Sequence, residues 1–473
     1  MKAFVPPLPL AASLAALAAV ALLWAQDRGA APTDQAAALV AKKRASFLNV
    51  LDAQARGDGQ ADDTDAIQAL IDARAGSIRF PPGTYRLTRP LTIDLDRVGP
   101  VALVADGTAR LVMAGPGPAI RFRGTHGGTA DPGTVQPNVW ERQRMPVVEG
   151  LAIVGAHPEA DGIEAAGTMQ LTLRGVHIRQ CRHGVHLIER NRNVLIDGCH
   201  IYENRGCGVF YDQVNLHQSN ITGCHISYCD GGGVVVRGGE VRNIHISGCD
   251  IEGNMAAGGP PTANVLLDCG EGSVAEVAIT GCTIQHTRNA PESANIRILG
   301  RGYMLRRGQR MEFQCGHVTI GDNVLSDVQT NIHLVGARGI TITGNTLWQG
   351  YAHNLLLEDC QQVVIGPNML ERNPLYSYTD EARNGVVLRR CRDTTINGLH
   401  LHHVLDSEAG LVLENCQRVH LSGCTILDCA PVGLLLRDCR QVRCHGNLIR
   451  DDRQEGQGVP MQVVGGMDNE VGP

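Results

Sequence analysis

Asp268, Arg297 and His333 stand in three short apolar runs, NVLLD, NIRIL and NIHLV. A carboxylate, a fixed cation and an imidazole are what proton transfer beside a negatively charged substrate requires. If the first apolar residue of each run faces inward, the second and fourth face out. The second positions then read Glu164, His186, Phe210, Val235, Leu266, Arg297 and His333. The fourth read Asp212, Arg237, Asp268, Leu299, Val335, Glu358, Arg389, Glu414 and Arg437. Asp212 and Asp268 could pair as acid and base, with Arg237, Glu358 and His186 as substrate contacts. The alternation of sign along the fourth positions has a second explanation, a surface ladder that avoids like charges on adjacent strands. Arg297 and His333 escape it because they interrupt an apolar row. Between these runs, the insertion GRGYMLRRGQRMEFQ sets Arg301, Arg306, Arg307 and Arg310 beside Tyr303, a grouping suited to an anionic chain and equally to a solvated loop.

What positions these residues is a repeat. Gly, then Cys or Asn, one residue, then Ile or Leu recurs as DGCHI, TGCHI, SGCDI, TGCTI, TGNTL and SGCTI, mostly 22 to 25 residues apart. A fixed period of this size means a solenoid. Between copies, apolar and polar residues alternate, which means strands, and the turns are too brief for a crossover helix. Three short strands per repeat bury their inward residues only by coiling. The expected fold is therefore all-β, a parallel β-helix of about 12 or more coils.

Four repeats are stretched. NMAAGGPPTAN (254–264), HTRNAPESAN (286–295) and ERNPLYSYTDEARN (371–384) lengthen the turn before a coil's first strand, and 300–314 lengthens the turn after it. Such loops would wall a groove whose floor is strands 234–237, 265–268, 296–299, 332–335 and 355–358. His177, His200, His225 and Asp250 follow the repeat phrase on successive coils, as an outward polar stack or a metal or ligand grip, with no long loop beside them.

Composition fits one elongated domain: 56 Gly among 473 residues and only 4% aromatics suit a core of stacked aliphatics. The net charge of −6 points to neither nucleic acid nor a membrane surface. Lys occurs only at Lys2, Lys42 and Lys43, so Arg must do any cationic work in the body of the chain. Residues 1–25 read as an export signal, or as an anchor should they remain uncleaved, with 26–46 a linker, 47–90 an N-terminal cap and 91–473 the β-helix. The expected location is periplasmic or extracellular. Of the 16 Cys, Cys199, Cys224, Cys249 and Cys282 share the position that Asn323, Asn345 and Asn368 take later, and Cys360, Cys391, Cys416 and Cys439 share another. Side chains stacked one coil apart are somewhat far for a bridge and do not converge on zinc, so buried thiol ladders are expected.

Residues 47–85, FLNVLDAQARGDGQADDTDAIQALIDARAGSIRFPPGTY, resemble the opening of the pectate-lyase-like superfamily of right-handed β-helices, where GDG-x-x-DDT-x-AIQ precedes PPGTY. Within it, Asp63 or Thr64 can cap a helix whose apolar face is Ile67, Leu70 and Ile71 and which Gly76 ends. That helix would plug the solenoid's first coil, which makes Asp62 and Asp63 structural. The resemblance implies a polysaccharide substrate but no mechanism, since the polygalacturonase Gly-His-Gly and Arg-x-Lys are absent here, as is the Trp-x-x-Asp-His of calcium-dependent pectate lyases. Two enzymatic readings follow. In a uronate lyase, Arg297 or an insertion Arg neutralises the carboxylate and His333, Tyr303 or an Arg removes the proton; in a hydrolase, Asp268 acts with Asp212 or Glu358. The Arg-rich insertion tilts the expectation toward an acidic polymer. The alternative is a non-catalytic β-helix that binds surface glycan or serves as an envelope scaffold. No cofactor is expected, with a bound calcium ion left open, and the oligomeric state is not legible.

Overall fold

A computed structural model describes residues 48–472 apart from 372–374, 376–380 and 455; the expected export signal and linker lie outside the described residues. The chain winds into a three-faced prism of parallel strands. One face is a ladder of 15 strands running from Asp58–Asp62 to Leu448–Arg450. The other two join into one 27-stranded sheet. They join because strands such as Val185–Asp197, Cys207–Thr222 and Gly232–Ser247 run on through the corner between them. Left-handed residues bend each one, first Glu189 (φ 58°) or Gln213 (φ 47°), or the pair Gly238 (φ 61°) and Gly239 (φ 72°), and again at Asn193, Gln218 and Asn243. The three short strands expected per coil are thus, in the central coils, one short strand and one long bent one.

The inward residues stack coil on coil. Val185, Val209, Val234, Val265, Ile296 and Ile332 occupy one column and are fully buried. Each contributes on the order of 1.5–3 kcal/mol in burial. The repeat phrase marks the corner into the 15-stranded face. Its Gly198, Gly223, Gly248 and Gly281 all have φ near +60°, and space for a side chain is open at each, so the left-handed turn selects glycine there.

The residue after that glycine builds a ladder. The Cys199, Cys224 and Cys249 amides donate to the next coil's sulfur at 3.4, 3.4 and 3.5 Å. Cys282 donates to Asn323 Oδ1 at 3.0 Å, and Asn323 and Asn345 continue to the next Asn at the same distance. All sixteen cysteines are buried and free.

The helix Thr64–Asp72 lies against the first coil through Ile67, Leu70 and Ile71. Asp63 precedes it without capping it. Its carboxylate instead accepts the Arg56 and Gly57 amides at 2.6 and 3.1 Å, closing the preceding loop, while Asp62 takes the Thr64 amide at 3.1 Å. The helix ends at Ala73, ahead of Gly76, because the chain already turns left-handed at Arg74 (φ 59°). Among the described residues no helix is long and apolar enough to cross a membrane.

Candidate functional site

The two outward rows stand in the expected register. Leu266 pairs with Arg297, Arg297 with His333, Arg237 with Asp268, and Val335 with Glu358. The row is not an open floor. Phe210, Val235 and Leu266 pack with Cys207, Ala263, Ala294 and the half-buried Leu299 in an apolar cluster outside the coil's interior. Loops 254–264 and 286–295 meet through Met255, Ala290 and Val328 instead of standing apart as walls. Residues 371–384 lie partly outside the described residues.

At one end of this cluster the structure brings together Arg297, His333 and Glu358. Arg297 is 5% exposed. Its Nε–H donates to His333 Nδ1 at 3.2 Å, and its terminal nitrogens meet the Thr262 and Glu292 carbonyls. It is therefore pinned, and its reach to a substrate carboxylate, expected from sequence, is spent on positioning His333. With Nδ1 accepting, the His333 proton is assigned to Nε2, which faces Glu358 Oε2 at 3.4 Å. Burial first, then the Arg297 charge, hold His333 below the ordinary histidine range. The other Glu358 oxygen lies 3.8 Å from both Arg389 and Arg390, which retain substantial exposure.

Sequence reasoning missed His353. It follows Tyr351, pairs with Thr330 and Gly385, and is drawn down to about 4 by burial, then by Arg389, so its ring is neutral. Its Nδ1 is enclosed without a partner. Beside it Arg288 lies over the Tyr351 ring at 4.8 Å and donates to its hydroxyl at 2.8 Å. A signal for these coils was present in the sequence. An Asn stands directly before the apolar run at Asn264, Asn295, Asn331 and Asn354, where the preceding coils have Gly184, Gly208 and Gly233. These amides form a second buried ladder, each Nδ2 donating to the next Oδ1 at 2.8, 2.7 and 2.8 Å.

At the other end, His186 Nε2 meets Asp212 Oδ2 at 3.0 Å. Phe210 stacks on the His186 ring at 5.3 Å, and His183 lies 5.1 Å away. His183 is lowered to about 4, chiefly by burial. Glu164 precedes them in the row, held by Arg121 and Arg123 at 2.8 and 2.9 Å.

The remaining candidates stand apart. Asp268 accepts the Gly270 amide at 3.0 Å, a local turn, and Arg237 lies in register between it and Asp212, with its guanidinium 5.8 Å from the Phe210 ring. Asp268 therefore does not converge with Arg297 and His333. The insertion is a β-hairpin, Arg301–Arg306 against Gln309–Gln314, closed by Arg307 and Gly308 with positive φ, as the tightest hairpin turn requires. Arg310 stacks on Tyr303 at 4.0 Å and Arg301 reaches Asp359 at 3.2 Å, so two of its four arginines hold the hairpin. Arg306 pairs with Gln309 along the hairpin backbone, and Arg307 is exposed at its tip. His225 pairs with Asp250 at 3.0 Å in the polar stack of the third face. Among the described residues no group of three or more His, Cys, Asp or Glu is placed to hold a metal ion.

Family models match three stretches of the chain: "right handed beta helix region" over 142–263, "periplasmic copper-binding protein (NosD)" over 271–460, and "rhamnogalacturonase A/epimerase, pectate lyase-like" over 47–112. Residues 47–112 thus match a pectate-lyase-like family, and residues 142–263 a right-handed β-helix. In its fold, the structure resembles tailspike protein 3 of bacteriophage CBA120, with TM-score 0.50, 13% identity, and 91% of this chain against 62% of that one. It also resembles a tailspike variant of E. coli bacteriophage HK620 in complex with a pentasaccharide, with TM-score 0.51, 12% identity, and 80% of this chain against 76% of that one. A stretch of 76 residues is 40% identical to alginate lyase 7 of Azotobacter vinelandii, 15% of this chain and 8% of that protein. The chain therefore spans under two thirds of the tailspike and a small part of the lyase.

Proposed function

We propose that the chain is an exported, carbohydrate-active protein that cleaves an acidic polysaccharide by β-elimination at the His333–His353–Glu358 end of the outward row. The observation that carries this reading is a pair of largely buried imidazoles beside guanidinium groups, His333 Nδ1 accepting from Arg297 at 3.2 Å, with burial drawing both rings below the ordinary histidine range. Arg389 and Arg390 meet the uronate carboxylate and acidify the C5–H beside it. His353 accepts that proton. His333 is less suited as base because both its nitrogens are engaged, and its Nε2–H instead faces the leaving side. The C5–H and C4–O bonds break, the C4–C5 double bond forms, and the departing oxygen, met by the His333 Nε2–H hydrogen bond that Glu358 steadies, takes up the proton that His353 accepted. The pentasaccharide-bound tailspike, the lyase segment and the periplasmic family match support the substrate class and the export.

Incubation with acidic and neutral polysaccharides, following unsaturated-uronate absorbance and reducing ends together, tests this. New absorbance on an acidic polymer, lost in His353→Ala, is the expected result. Reducing ends without absorbance would replace elimination by hydrolysis. One observation favours a second reading, a non-catalytic glycan binder or envelope scaffold: Arg297 and His333 already satisfy one another within the chain. Binding to a polymer with no product of either kind would establish it.

A further inference from the structure

The excursion between the strands Gly117–Arg123 and Val147–Glu149 leaves the coil and shelters part of the second face. Beneath it lies a recess of about 400 Å³, lined among others by Thr129, Arg190, Asn215, His217, Glu240 and Arg242. It is far from the outward row in kind as well as place, since it occupies the face that begins after the Glu189 bend. Its wall is fixed: Arg192 Nη1 donates to the Thr129 and Ala130 carbonyls at 2.9 and 2.6 Å. Arg242 is likewise committed, to the Val241 and Ser273 carbonyls at 2.9 and 2.7 Å.

Arg190 and His217 are not fully committed. Arg190 Nε donates to His126 Nε2 at 3.4 Å and Nη1 to Asn215, but Nη2 is buried with no partner. His217 Nδ1 is in the same state. A buried guanidinium hydrogen left unmet is costly and calls for a partner, an ordered water, an ion or a ligand oxygen. Burial holds His126 and His217 below the ordinary histidine range, and the carboxylate lining the recess is Glu240, linked to Arg190 through Asn215. Glu240, exposed at the rim and 3.5 Å from Asn215 Nδ2, adds an acceptor for hydroxyl groups.

Three residues further along the same strands, roughly 10 Å at about 3.3 Å per residue, a second recess of about 380 Å³ is lined by Asn193, Gln218, Asn220, Asn243 and His245. Side-chain amides offer donor and acceptor together, the complement of a sugar hydroxyl. We infer that the second face carries a saccharide-binding site, separate from the outward row, in which Arg190 Nη2 takes the carboxylate of an acidic sugar unit while Glu240 and the amides take hydroxyls. This goes beyond the proposed cleavage and does not depend on it, because none of these side chains belongs to the His333 end.

Calorimetric titration of the full chain with D-glucuronate, with D-glucose as the neutral control, tests the site. The expected result is a saturable glucuronate component that Arg190→Gln weakens about tenfold or more, the loss of one charge-assisted hydrogen bond. Arg389→Ala, at the outward row, leaves that component unchanged, which separates it from any failure of the cleavage reading. Glu240→Ala, at an exposed position that does not threaten folding, weakens it by a smaller factor and decides the matter if Arg190→Gln fails to fold. Equal binding of glucose, no saturable component, or glucuronate affinity unchanged in Arg190→Gln or, failing that, in Glu240→Ala would overturn the inference.

Discussion

The two ends of the outward row repeat one geometry. At each, a histidine in the second position of a strand faces a carboxylate in the fourth position of the next coil: His186 to Asp212 at 3.0 Å, His333 to Glu358 at 3.4 Å. They differ in what stands behind the ring. His186 Nδ1 is enclosed without a partner, between His183 and Phe210. His333 Nδ1 accepts from a pinned arginine, with Arg389 and Arg390 beyond the carboxylate. Five coils separate them, about 24 Å at about 4.8 Å per coil, bridged by the sealed cluster around Phe210, Val235 and Leu266. A β-helix thus makes the dyad cheaply wherever register permits, and chemistry depends on the charges placed around it.

The sharpest test of that difference is activity. His353→Ala should lower cleavage by about 10²- to 10⁴-fold, read as a fall in kcat, whereas His186→Ala should raise KM and change kcat by under about tenfold. Equal losses in kcat from the two variants would make the ends equivalent and break the comparison.

The supporting ladders differ too. Behind the Arg297 and His333 coils, buried Asn side chains stand at the position that is glycine in the His186 coils, where Ile201, Ile226 and the next coil's backbone leave no room for a side chain. Asn295→Ala takes the donor from Asn331 Oδ1 and from the Ser326 carbonyl, while Asn264 Nδ2 keeps the Gln285 and His286 carbonyls, and should cost about 2–4 kcal/mol in denaturant unfolding, at roughly 1–3 kcal/mol per unsatisfied buried group. Cys224→Ala removes a weaker sulfur acceptor and should cost less. The reverse order would mean that the thiol column, and not the amide column, holds the molecule together.

The Gly-Cys and Gly-Asn phrase and the period of two made the coil, its register and the thiol ladder legible, because stacking forces each position onto its equivalent one coil away. Even the pairing of Leu266, Arg297 and His333 could be read this way. Burial over the outward face could not. It depends on how loops 254–264 and 286–295 pack on each other, and loop packing has no period to read. Arg297 therefore looked like a cation facing a groove and is a buried strut. Asp268 looked like its partner and serves a turn. His353 was missed because it lies two positions ahead of the apolar run counted from Leu355, although the Asn before that run already marked its coil.

Acid should reach both ends. His183 at one end and His353 at the other are each lowered to about 4, as is His126 beneath the excursion. A folded histidine depressed below its unfolded value near 6.5 favours the folded state fully above that value and loses the contribution as pH falls toward 4. Each group can change stability by at most about 1.4 kcal/mol per pH unit. Thermal midpoints should fall between pH 6.5 and 4, and His183→Asn and His353→Asn should each flatten the fall; a profile unchanged in both variants would show that other groups govern it.

The smallest effect isolates the Arg297 contact itself. Arg297→Gln removes a charge that opposes protonation of His333 while leaving the ring's burial, the larger cause of its depression, in place. The His333 pKa, followed by NMR of the imidazole, should therefore rise by less than about one unit, since a neighbouring charge at 3–4 Å in a screened site is worth on the order of 1 kcal/mol. The His186 resonance should not move. Were His333 itself the proton donor, its pKa rise would carry the alkaline limb of the kcat profile upward by the same amount. A shift of His333 without a shift of that limb would leave the dyad's geometry intact and remove His333 from the proton path, with Glu358 and His353 remaining to carry it.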